Sequence, residues 1–78
     1  MHDRVRELVA DVFALDVQDV PADASAETFP EAWDSLRHLE LMLELELAFG
    51  VRIPTDTIPE LVSIPAIVDF LGATAPNA

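Results

Sequence analysis

A chain of 78 residues with 15 acidic side chains against four basic ones, for a formal net charge of -11, is repelled by phosphate backbones and anionic bilayers, which argues against nucleic acid and membrane as partners. The absence of cysteine removes disulfides, thiol nucleophiles and thiolate metal sites, and a hydrophobic content of 51% sets the chain apart from disordered acidic segments. One small domain over residues 1–78 is expected, cytoplasmic and monomeric, since no leader opens the chain and no apolar run approaches ~18 residues. A domain of this size buries only roughly 60% of its unfolded surface. That leaves little room for a closed active site and favours a carrying or interaction module over an enzyme.

From Val5 to Leu15, the apolar residues Val5, Leu8, Val9, Val12 and Phe13 recur at helical spacing, which predicts an amphipathic first helix with Asp3 as its N-cap. Periodicity then dissolves from Asp16 to Trp33, where Pro21 and Pro30 punctuate a long connection. Loops beyond about 12–15 residues are uncommon in compact domains. Val20, Phe29 and Trp33 predict that this one is ordered and packs down on the helices.

The second helix is predicted over Ser35–Phe49, between an Asp34 N-cap and Gly50. At about 100° per residue it carries two apolar stripes. Leu41, Met42, Leu45, Ala48 and Phe49 form one, and Leu36, Leu39, Leu43 and Leu47 the other, with Glu40, Glu44 and Glu46 between them. The second stripe is either covered by another element or left as a docking strip rimmed by acids. A short helix follows at Asp56–Leu61, with Thr55 as N-cap and Pro59 limiting it to little more than a turn. The last helix runs from Ile64 or Pro65 to Leu71, capped by Ser63 and ended by Gly72, with a frayed tail over residues 73–78. The fold class is therefore all-α: a four-helix bundle of three main helices and one short one, with a long loop between the first and second.

Chemistry is sparse. No calcium-loop spacing, no H-E-x-x-H and no Gly-rich phosphate loop occurs, so no metal site is expected. Residues 16–46 hold nine acids against the single base Arg37, a surface suited to solubility or to steering basic partners. His38 reads as a satisfied structural histidine. Ser35 sits where loop meets helix beside Asp34, yet no G-x-S-x-G elbow and no base make it a hydrolase nucleophile.

The segment Trp33-Asp34-Ser35-Leu36-Arg37-His38-Leu39-Glu40-Leu41 resembles the D-S-L signature of acyl carrier proteins. The likeness continues through Leu43 to Pro54, where an acidic, apolar helix ends in Phe49-Gly50, and through Ile64 to Leu71, so it spans nearly the whole chain. The resemblance implies that Ser35 carries 4′-phosphopantetheine through a phosphodiester and that Asp34 helps the phosphopantetheinyl transferase engage it. It also implies that Leu36, Glu40, Leu43 and Glu44 meet the acyl-loading and acyl-processing partner enzymes. Ala32 stands where the family commonly has Gly. Trp33, Arg37, His38, Leu47 and Ala48 also depart from its pattern, which points from housekeeping fatty-acid synthesis toward a stand-alone carrier in polyketide or related biosynthesis. Asp34 before the serine favours acyl over peptidyl cargo. The competing reading is an unmodified helical module that binds partners through its acidic second helix.

Overall fold

The first apolar stripe forms helix α1, His2–Phe13, in a computed structural model that describes residues 2–74. Val5, Val9, Ala10 and Phe13 are buried. The helix starts earlier than its apolar stripe requires, so Asp3 lies in the first turn rather than at the cap, 4.0 Å from Arg6 in an exposed ion pair. At the other end the Leu15 N–H donates to the Ala10 carbonyl (2.8 Å) and the Ala14 N–H to that of Asp11 (3.4 Å). These two bonds are those of a Schellman motif. Ala14 takes the left-handed position at φ 58°.

The long connection is ordered, as expected, and side chains of α1 hold it. Arg6 donates from Nε to the Val20 carbonyl (2.9 Å) and from Nη2 to that of Val17 (3.1 Å), while His2 Nε2 lies 3.0 Å from the Ala22 carbonyl. A 3-10 turn at Val17–Asp19, capped by the Asp16 carboxylate, adds an element that the loss of periodicity hides. Further along, Ala26 N–H donates to Val62 O and Ile64 N–H to Ala24 O. These bonds stitch the loop to the entrance of the last helix and bury Val20, Ala24 and Trp33.

Helix α2 spans Ser35–Phe49. Asp34 caps it through its carboxylate, and Gly50 at φ 64° ends it. Leu41, Met42 and Leu45 are buried, but Ala48 is exposed and Phe49 only half-buried. The segment expected as a short helix at 56–61 is a single 3-10 turn, Ile58–Glu60. Pro59 has no N–H to close an α-helical bond, and Thr55 lies in the preceding turn without capping it. Helix α3, Ile64–Thr74, begins on Ser63, whose Oγ accepts from the Ala66 N–H at 3.2 Å. It runs past Gly72, because glycine permits a helix end without imposing one. The rest of the expected tail, residues 75–78, lies outside the described residues.

The fold is thus all-helical, three α-helices and two 3-10 turns among the described residues. Helix α1 packs against both α2 and α3, so α1 rather than α2 is the shared helix. Val5 and Val9 of α1, Leu41 and Leu45 of α2, and Ile64, Ile67 and Leu71 of α3 are fully buried at the centre, together with Val20 and Ala24 of the long connection.

Candidate functional site

The helix geometry of α2 sets out its second apolar stripe in the open. Leu36, Leu39, Leu43 and Leu47 are 65%, 50%, 60% and 80% exposed, which decides between the two uses the sequence left open: among the described residues no other element covers the stripe. Glu40 and Glu44 are exposed beside it, and Glu46 is half-buried, its carboxylate accepting from the Ile53 N–H at 2.8 Å. The four residues singled out for partner contact, Leu36, Glu40, Leu43 and Glu44, therefore all lie at the surface of one helix.

Ser35 is the first residue of α2 and is exposed. The Asp34 Oδ1 accepts from the Arg37 N–H (2.8 Å), and the His38 N–H donates to the Asp34 carbonyl (2.9 Å). These bonds fix the first turn. The N–H groups of Ser35 and Leu36 precede the first helical bond and point out of the N-terminus, where the helix dipole favours an anion. The Ser35 hydroxyl is not among the side-chain oxygens that make hydrogen bonds within the described residues.

Behind the serine stands a rigid support. Trp33 is buried against Phe13, ring centroids 5.0 Å apart. Its Nε1 donates to His38 Nδ1 (2.9 Å), and His38 Nε2 is 2.7 Å from the Ile58 carbonyl. Since the indole N–H only donates, Nδ1 carries the lone pair and Nε2 the proton. His38 is thus a satisfied structural residue, as expected, and not a base aimed at Ser35. Arg37 reaches across to α1, its Nη1 donating to the Val12 carbonyl at 2.8 Å. Neither long-range bond leaves a periodic signal in the sequence.

Three of the concavities among the described residues border this frame. A cleft of about 180 Å³ beside Ser35 is lined by Ala26, Trp33, Asp34, His38 and Val62. A second, of about 240 Å³ and largely apolar, lies between α2 and the 53–58 segment, against Leu39, Met42, Leu43, Ile53 and Ile58. The third, an open groove of about 520 Å³, separates α1 from α2 and is bounded by Leu8, Asp11, Val12, Glu40, Leu43 and Glu44. An exposed hydroxyl on a fixed helix start, with an adjacent cleft, suits covalent attachment of an extended anionic arm.

Comparison with known proteins shows what the chain is similar to. A family model described as a phosphopantetheine attachment site matches residues 3–71. An acyl carrier protein of Rubrobacter xylanophilus is 35% identical over 68 residues, 87% of this chain and 83% of that protein. One from Thermosynechococcus vestitus is 35% identical over 70 residues, 90% of this chain and 85% of its own. The polyketide-8 synthase acyl carrier protein 2 of Streptomyces avermitilis is 36% identical over 69 residues, covering 88% of this chain and 78% of that protein.

Proposed function

The chain belongs to the acyl carrier family, whose cofactor is a covalent 4′-phosphopantetheine, and on that premise we propose that Ser35 is the residue that bears the arm. The observation that carries the reading is the exposed hydroxyl at the first residue of α2, inside Asp34-Ser35-Leu36 and held there by the Asp34 cap. The thiol that ends the arm, when bound, supplies thioester chemistry, and the catalytic groups for loading and transfer belong to partner enzymes.

The chain's own residues position and present. Asp34 fixes the backbone on which Ser35 stands, and the N–H groups of the first turn stabilise a phosphodiester at its Oγ. Trp33 and His38 brace that turn against the Ile58 segment. The exposed leucines with Glu40 and Glu44 meet the enzymes that work on the arm, in weak, salt-sensitive contacts suited to a carrier that must release each partner. These partners include a phosphopantetheinyl transferase and enzymes that load and process acyl groups. The carrier acts as a cytoplasmic monomer, itself without catalytic activity, in a specialised acyl pathway of the polyketide kind. The polyketide synthase relative supports that choice of pathway. Among the described residues no helix is long and apolar enough to cross a membrane.

Intact mass after incubation with coenzyme A and a broad-specificity phosphopantetheinyl transferase tests the proposal. The wild-type chain gains one phosphopantetheine, and Ser35→Ala gains none while keeping its helical circular dichroism. An adduct on Ser35→Ala refutes the assignment. No adduct on the wild type with several transferases supports instead an unmodified module that binds partners through α2.

A further inference from the structure

We propose that His38 determines which cargo this chain can shield: its hydrogen bond to Ile58 bars a group borne on Ser35 from the apolar cavity, so that short or oxygenated acyl groups stay at the surface. This rests on the reading of Ser35 above. His38 lines the cleft beside Ser35 and Ile58 lines the apolar cavity, and among the described residues the two spaces have no lining residue in common. The 2.7 Å bond from His38 Nε2 to the Ile58 carbonyl joins the two walls and is the partition between them.

Helical spacing sets the route. Ser35, His38, Leu39 and Met42 follow one another at i, i+3, i+4 and i+7 on one face of α2. A group that leaves Ser35 along this face meets His38 before Leu39 and Met42, which line the cavity. The imidazole is not free to turn aside. Its Nδ1 accepts from the indole of Trp33, which is buried against Phe13, and the donor-only indole leaves Nε2 as the proton-bearing nitrogen that faces Ile58. The carbonyl opposite is held as well: the N–H of buried Leu61 donates to it at 3.2 Å and closes the 3-10 turn.

Chemistry decides which cargo can pass. Swinging the ring aside breaks both of its bonds and leaves the buried Trp33 N–H unpaired, a cost that only the burial of several methylene groups offsets. The cavity, of about 240 Å³, offers no other gain. Its one charged lining residue is Glu46, whose carboxylate already accepts from the Ile53 N–H. An ionised carboxylate has no proton to donate, so a keto oxygen finds no side-chain donor among the residues that line this space. Acyl groups that are short or carry oxygens therefore remain on the Ser35 side of the bond, within reach of the enzymes that act on them.

The test loads wild type, His38→Ala and His38→Gln from acetyl- or octanoyl-coenzyme A with a broad-specificity phosphopantetheinyl transferase, and intact mass verifies the adduct. The readout is the rate at which hydroxylamine cleaves each thioester, relative to the same acyl group on free pantetheine. Wild type is expected to release both groups at close to the free rate, with the Trp33 indole N–H resonance unchanged between the unacylated and octanoyl forms. His38→Ala slows release of octanoyl several-fold and of acetyl not at all. His38→Gln, which keeps a side-chain N–H for the Ile58 carbonyl, returns octanoyl release to the wild-type rate. Several-fold protection of octanoyl by wild type overturns the proposal, and so does a folded His38→Ala that gives none, or equal protection by His38→Gln and His38→Ala. Where His38→Ala loses its helical circular dichroism, Trp33→Phe takes its place: it frees Nδ1 and lets the ring turn, and a folded Trp33→Phe without protection overturns the proposal in the same way. A wild-type chain that takes up no adduct overturns instead the Ser35 reading, and this proposal with it.

Discussion

His38 has both ring nitrogens committed, one to the buried indole of Trp33 and one to the Ile58 carbonyl. Truncation to alanine leaves a buried donor without its acceptor, a loss of about 1–3 kcal/mol. His38→Ala is therefore expected to lower the urea midpoint by that equivalent, while Trp33→Phe, which removes the donor itself, costs less. If His38→Ala unfolds with wild-type stability, the bracing of the Ser35 turn is not what the two bonds provide. At this scale the sequence was legible where the interaction is local. Asp34 as cap, Ser63 as cap and Ser35 at a helix start all follow from their neighbours in the chain. The reach of Arg37 to Val12, of Arg6 to Val17 and Val20, and of His38 to Ile58 does not, because each bond joins a side chain to a backbone carbonyl at least 11 residues away.

The two helices that bound the groove end alike, in left-handed residues, with different side chains to bear the geometry. Gly50 adopts φ 64° and Ala14 φ 58°. A left-handed non-glycine residue costs roughly 1–2 kcal/mol, partly offset by the greater unfolded-state freedom of glycine. Ala14→Gly is accordingly expected to stabilise the chain by up to ~1 kcal/mol. Gly50→Ala destabilises it by a similar amount, through backbone strain alone, since a Cβ there meets nothing within 4 Å. Thermal unfolding of the two variants in opposite directions checks both. The contrast also explains which helix ends were readable. Gly50 announces the end of α2, and Ala14 gives no such signal. Gly72, which resembles a stop signal, lies inside α3 with a negative φ. The Ile58–Glu60 turn was legible as an element through Pro59 but not as 3-10 rather than α, since that depends on which carbonyls the few remaining N–H groups reach.

Across the whole molecule, the few acids that have partners among the described residues are held mostly by backbone rather than by cations. Asp16, Asp34 and Glu46 each accept from a main-chain N–H, and the described residues contain one ion pair, itself at 4.0 Å and exposed. With a net charge of -11, self-repulsion opposes the compact state, so the melting temperature rises with added sodium chloride over the range in which the Debye length falls below about 10 Å. A melting temperature independent of salt contradicts this clustered surface. The same distribution leaves α2 with a leucine stripe in solvent, the one feature that periodicity alone left undecided, because two stripes on a helix are equally compatible with burial on both sides. The most direct measurement of the central claim is the position of the adduct after phosphopantetheinylation. Tryptic cleavage at arginine yields the 7–37 peptide, which contains Ser25, Thr28 and Ser35, and electron-transfer fragmentation separates them. The account predicts that the added mass resides on Ser35. Its appearance on Ser25, Thr28 or any other hydroxyl contradicts it.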